Sequence, residues 1–108
     1  MITTFIMERE LVTEVGTVKI KGRILKEVYK VAFSKVNAVT EANRAFCLLC
    51  ENSEEADKEL GAERHDNLAM TLWEELRKQT EGLVDFFQGL EEMKLFEGTI
   101  ETDLSWDD

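Results

Sequence analysis

A long apolar stripe with helical spacing constrains the fold of this chain more than any other feature. Between residues 24 and 49 apolar residues recur at steps of three and four, which places them on one face of an α-helix. The stripe consists of Leu25, Val28, Ala32, Val36, Val39, Ala42, Phe46 and Leu49. Further apolar residues beside it make it wider than a coiled-coil seam. We therefore predict a central helix over residues 24–49 that packs against more than one neighbour.

A second helical region follows this stripe. Asn52 or Ser53 offers a side-chain oxygen that can cap a new helix, and acidic residues follow where the helix dipole favours negative charge. Gly61 marks a break, after which the next stripe begins. That stripe consists of Ala69, Leu72, Trp73, Leu76, Leu83, Phe86, Phe87 and Leu90. The chain contains no proline, so long helices are permitted, and we predict a long antiparallel helix pair. Gly82 and Gly89 are predicted to let another backbone come close.

Both ends of the chain have patterns typical of β-strands. Residues 3–13 and 17–24 flank Gly16 and are rich in Thr, Val, Ile and Phe, which predicts an N-terminal β-hairpin. Apolar and polar residues alternate over residues 99–106 after a predicted turn at Gly98, which indicates a C-terminal strand. The predicted fold is a small two-layer α+β domain over residues 1–108 with the order ββααβ. The alternative is a mainly α helical hairpin.

The charged residues are distributed unevenly along the chain. Residues 1–50 contain eight basic and five acidic residues, residues 51–108 contain five and eighteen, and the net charge is −10. This exceeds the net charge of about 2 to 8 that keeps a small domain soluble. A row of carboxylates on a rigid helix pair can imitate a nucleic-acid backbone and occupy the basic groove of a nucleic-acid-binding protein.

The basic residues are concentrated near the N-terminus. Lys19, Lys21 and Arg23 are predicted to line the outer face of the second strand. Aromatic residues for base stacking are missing between them, and the overall charge repels nucleic acid. We therefore predict no direct nucleic-acid binding. The bases are expected to neutralise acids within one subunit or across a homodimer.

Three groups of residues have patterns that resemble metal-binding or catalytic sites. Cys47 and Cys50 form a CxxC near the predicted helix C-terminus, where the dipole disfavours thiolate, and zinc would need two more ligands. We predict that both cysteines are buried as apolar residues. His65 is predicted to be a surface histidine, because its neighbour Asp66 points about 100° away on a helix.

Acidic pairs are the third group. They are Glu54/Glu55, Glu74/Glu75, Glu91/Glu92 and Asp107/Asp108. The alternating ligands and glycine of a calcium loop are absent from their surroundings, so a solvated helix face is the expectation. We predict no metal, no cofactor and no enzymatic activity.

The location is predicted to be cytoplasmic. No apolar run approaches the roughly 18 residues that cross a bilayer, and the N-terminus lacks the pattern of a signal peptide. Two cysteines so close in sequence form no disulfide framework. Small acidic proteins of this kind are frequent among phage and mobile-element products, although no residue marks that origin.

We predict that the chain is an acidic protein-interaction module, a regulator or inhibitor that docks on a basic, nucleic-acid-binding surface of a partner protein. The predicted acidic contact residues are Glu54, Glu55, Glu59, Glu63, Glu74, Glu75 and Glu81. The alternative is an oligomeric scaffold, adaptor or assembly chaperone, because the aromatic residues exceed what one small core can bury. Trp106 is the predicted apolar contact residue of such an assembly.

Overall fold

The computed structural model describes residues 3–106 and has a three-stranded sheet with a helical hairpin on one face. Its elements are β1 (Thr4–Thr13), β2 (Gly16–Leu25), α1 (Lys26–Glu51), α2 (Ser53–Leu60), α3 (Ala62–Glu92) and β3 (Phe96–Leu104). The sheet is antiparallel in the order β1-β2-β3. The predicted α+β fold with a hairpin, helices and a C-terminal strand is confirmed. The pair Asp107/Asp108 lies outside the described residues.

The inner face of the sheet follows the alternation in β2. Val18, Ile20 and Ile24 are buried there, while the bases between them are exposed on the outer face. Thr13 pairs with Gly16, so a two-residue turn of Glu14 and Val15 joins β1 to β2.

The outer bases stand opposite acids in the neighbouring strands. Lys21 faces Glu8 in β1, and Arg23 faces Glu97 in β3. Lys19 has an acidic residue on both sides, Glu10 in β1 and Glu101 in β3. The basic strip is thus flanked by carboxylates within one chain, which weakens its attraction for phosphates.

Two predicted boundaries are wrong. Ile24 falls in both the predicted strand over residues 17–24 and the predicted helix over residues 24–49; it belongs to β2, and the helix begins only at Lys26. Gly98 lies inside β3, directly opposite Gly22, and not in a turn before the strand. A Cβ atom on Gly98 would lie 2.1 Å from the carbonyl oxygen of Lys21, so the close approach of the two backbones requires glycine. The turn that precedes the strand is at Lys94, which has a φ of 60°.

Helix details also differ from the predictions. No side chain caps α2: the Nδ2 of Asn52 instead donates to the carbonyl oxygen of Leu48, 2.8 Å away, and so completes the end of α1. Gly82 and Gly89 do not mark a close backbone approach, because a Cβ atom at either position would meet nothing within 4 Å. The predicted break at Gly61 is confirmed, and it is also the point where the chain reverses; its φ of 85° suits glycine.

The core lies where the helices cover the sheet. Phe87 and Phe96 are fully buried, with ring centroids 5.2 Å apart in a T-shaped contact. Val39 is the last buried residue of α1, and Leu76 is the first of α3. Residues 40–75, all of them described, contain no fully buried side chain. We call this segment the arm.

The arm extends past the sheet as two antiparallel helical segments that meet at Gly61. Residues 26–60 would measure about 52 Å along a helix axis, whereas a ten-residue strand spans about 33 Å. The molecule is accordingly elongated, with extents of 59 × 29 × 17 Å.

Candidate functional site

Most of the negative charge is concentrated on the arm. Residues 40–75 contain ten acidic and three basic residues, which gives seven of the ten net negative charges to one third of the chain. Its side chains pack only partly, between its two helical segments and, at Asn43 and Cys47, against the β1–β2 turn. The arm is therefore a largely exposed, negatively charged projection.

The predicted contact residues on the arm tip are all exposed. Glu54, Glu55 and Glu59 lie on α2, and Glu63 lies in the first turn of α3. Their place at helix beginnings is favourable for Glu54, Glu55 and Glu63, since the helix dipole stabilises negative charge there. Within residues 3–106, no cationic group lies within 4.0 Å of these four carboxylates.

Three of the remaining predicted contact residues, Glu74, Glu81 and Trp106, meet around Arg77. Its Nε lies 3.2 Å from Oε1 of Glu81, and its Nη1 lies 3.9 Å from Oε2 of Glu74. The ring centroid of Trp106 is 5.5 Å from the guanidinium carbon. Glu74, Glu81 and Trp106 thus come together, and Arg77 partly compensates the negative charges of the two glutamates.

Glu75 contacts a neighbouring side chain, and Trp106 also contacts the core. Glu75 accepts a hydrogen bond of 2.8 Å from Nε2 of Gln79. Trp106 is half-buried and packs against the core. The predicted acidic face is therefore two regions: four carboxylates without a cationic neighbour at the arm tip, and a group around Arg77 whose charge is partly compensated.

A hydrogen bond that the sequence reasoning missed joins α2 to α3 at the arm tip. Nδ1 of His65 lies 2.5 Å from Oδ1 of Asp57, and only 12% of the histidine side chain is exposed. The prediction of an ordinary surface histidine is wrong, because its partner is Asp57 across the hairpin and not the adjacent Asp66. Both residues lie four positions from Gly61, and a hairpin symmetric about that glycine places such residues opposite each other.

The cysteines lie at the base of the arm. Cys50 is exposed, so the prediction that both cysteines are buried is wrong. Cys47 is half-buried, and its Sγ–H donates to Oε1 of Glu14 at 3.6 Å. Partial burial, together with the Glu14 carboxylate, raises the pKa of the Cys47 thiol. A high pKa leaves little thiolate, which does not suit a redox or metal-binding CxxC.

The same contact region fixes the β1–β2 turn to α1. The backbone N–H of Glu14 donates to Oδ1 of Asn43 at 3.0 Å. Cys47, one turn further along α1, reaches the Glu14 side chain. These contacts orient the arm relative to the sheet.

An apolar groove lies beside the base of the arm. It has a volume of about 620 Å³ and is lined by Phe46, Asp66, Ala69, Met70, Trp73 and Glu74. Met70 is 67% exposed, while Phe46, Ala69 and Trp73 are half-buried. The sequence reasoning placed Phe46 and Trp73 in the apolar stripes but missed the groove. The helical period alone does not tell where the sheet ends.

Comparison with known proteins gives no match that bears on this geometry. No protein-family model matches the chain, and no curated protein or solved structure is similar to it. Within residues 3–106, no cluster of three His, Cys, Asp or Glu side chains is arranged to hold a metal ion. None of the described helices has the length and apolar content to cross a bilayer.

Proposed function

We propose that the chain is an acidic protein-interaction module whose arm docks on a basic surface of a partner protein, as a regulator or inhibitor. The observation that supports this most is the separation of charge from core. Residues 40–75 hold seven net negative charges and bury no side chain fully, so their composition serves the surface more than the fold.

The tip carboxylates carry the docking in this proposal. Glu54, Glu55, Glu59 and Glu63 are exposed and lack a cationic neighbour within the described residues, so they pair with a partner without first breaking an internal ion pair. Charges of this kind mainly steer encounter and raise the association rate.

The target is a basic protein surface with discrete cationic side chains. Along α3, Glu63, Glu74 and Glu81 are eleven and seven residues apart on one face, which corresponds to about 16 Å and about 10 Å. Duplex DNA has one charge per roughly 1.7 Å of axis. The wide spacing favours separate ion pairs over a continuous imitation of a phosphate backbone. A nucleic-acid-binding partner remains the expected class, since such proteins present the strongest basic surfaces.

Affinity capture with matched variants tests the proposal. The baits are the unmodified chain, the tip variant E54Q/E55Q/E59Q/E63Q and the control variant E27Q/E91Q/E92Q/E97Q. Both variants lose four negative charges, but the control substitutions lie at the end of the molecule away from the arm. Proteins captured from a lysate of the source organism are identified by mass spectrometry at about 50 mM and about 500 mM salt.

We expect the unmodified chain and the control variant to capture the same basic protein at low salt and the tip variant to lose it. Association measured with that purified partner should slow by about tenfold in the tip variant at low ionic strength. Equal capture by all three baits would contradict the proposal. When a partner is captured as expected, displacement of duplex DNA from it by the unmodified chain establishes it as a nucleic-acid-binding protein.

The oligomeric scaffold, adaptor or assembly chaperone predicted as the alternative depends on apolar contacts. Leu48, Leu68 and Met70 are exposed on the arm and would supply them. The like charge of two arms opposes such contacts, so sedimentation of the unmodified chain at low and high salt measures this alternative directly.

A further inference from the structure

The groove at the base of the arm has an apolar floor between two exposed acids. Phe46, Ala69 and Trp73 are half-buried in it, and Met70 is largely exposed. Asp66 and Glu74 lie at its ends, eight residues apart on α3, which corresponds to about 12 Å. A surface of this composition combines an anchor site for an apolar side chain with charge selection at its rim.

The lining residues define the shape of a suitable occupant. Positions 66, 69, 70, 73 and 74 form one face of α3, so the groove runs along a helix axis. A second helix laid along α3 repeats its own side chains at the same rise. Two cations eight residues apart on that helix match the Asp66 and Glu74 carboxylates, while an apolar residue between them reaches Met70 and Trp73.

Charge decides among the classes of occupant. A second copy of the chain would bring another arm with seven net negative charges against the first. A nucleic acid would bring phosphates against the same carboxylates. A cationic partner gains from both rim acids, although Glu74 also lies 3.9 Å from Arg77.

We infer that this groove binds a cationic amphipathic helix of the partner protein and seats one of its apolar side chains against Met70 and Trp73. This inference rests on the proposed function and adds the recognition element of the partner. The tip carboxylates steer the encounter, and the groove distinguishes an amphipathic helix from other basic segments.

Two synthetic peptides of Leu and Lys test the inference. Both have the same composition, but one places its Leu residues on a single helical face and the other distributes them around the helix. Their affinities for the chain are measured by fluorescence anisotropy. The test variant is Met70→Gln, and the control is Met93→Gln at the other end of α3, where the methionine is 62% exposed.

The unmodified chain and M93Q should bind the amphipathic peptide about tenfold tighter than the scrambled one, and M70Q should lose most of that difference. If the unmodified chain binds both peptides equally and the tip variant binds both more weakly, the groove inference is overturned while the proposed function is retained. Failure to bind either peptide overturns both. A dimer of the unmodified chain that M70Q abolishes assigns the groove to a second copy and also overturns the inference.

Discussion

Two glycines in opposite surroundings show how a single backbone position decides stability. Gly98 faces Gly22 where the strands come so close that a Cβ would meet backbone, whereas Gly82 has open space on an exposed helix face. Gly98→Ala should lower the free energy of unfolding by about 2 kcal/mol. Gly82→Ala should raise it by up to about 1 kcal/mol. Urea denaturation measures both, and a G98A protein as stable as the unmodified chain would contradict the close approach.

The environment of Cys47 predicts how its thiol reacts. Partial burial and the Glu14 carboxylate raise the pKa of Cys47, so the neutral thiol is favoured in the folded state. Iodoacetamide should therefore label the exposed Cys50 well before Cys47 at mildly alkaline pH. Glu14→Gln should accelerate the labelling of Cys47, and Glu41→Gln serves as the control, since Glu41 is not among the groups that raise this pKa. Labelling sites are read by peptide mass spectrometry.

The same shift sets the sign of a pH effect on stability. Because the folded pKa of Cys47 is raised, the folded state holds the proton longer than the unfolded state. This contribution is present below the unfolded pKa and is lost as the pH rises through the folded pKa. Glu14→Gln should flatten the alkaline loss of stability, and faster labelling of Cys47 than of Cys50 would contradict both expectations.

At the scale of elements, the hydrogen bond between Asp57 and His65 joins α2 to α3 in a segment with no fully buried side chain. Asp57→Ala should raise the hydrogen exchange rate of the α2 amides several-fold, because little else holds α2 against local opening. The core amides of β2 should be unaffected. Glu59→Ala removes a carboxylate from the same helix without touching His65 and is the control. Equal exchange rates of the α2 amides in the two variants would show that the contact between Asp57 and His65 does not stabilise α2.

The main elements were predictable because their signals are local. Alternation at Val18 and Ile20, and the stripe through Val36 and Val39, depend on residues whose spacing reflects one element each. The break at Gly61 follows from glycine itself. A sheet of three strands and a helical hairpin therefore followed from pattern alone.

Features that depend on two elements were missed. Gly98 resembles a turn residue until the register places it opposite Gly22. The contact between Glu14 and Cys47 joins residues 33 positions apart, a separation that no helical or strand period encodes. The groove was missed for the same reason, because Phe46 lies on α1 and the other lining residues lie on α3.

At the scale of the whole molecule, charge is sorted by position. The arm holds seven net negative charges, and the rest of the chain holds three over twice as many residues. The outer face of the sheet alternates basic and acidic strands and so presents a weak average field. On the proposed function, a basic partner would be attracted to the arm more strongly than to the sheet.

The absence of fully buried side chains in the arm separates its length from the stability of the rest of the chain. Seven residues, two helical turns, added to each of the two helical segments of the arm would lengthen it by about 10 Å and keep nearly the same faces in register. The core contacts would be kept if the residues are added beyond Ala42 and Trp73, the arm residues that pack against the core. The reach of the arm is thus set by the number of residues in its two helical segments, separately from the sheet and the core that carry it.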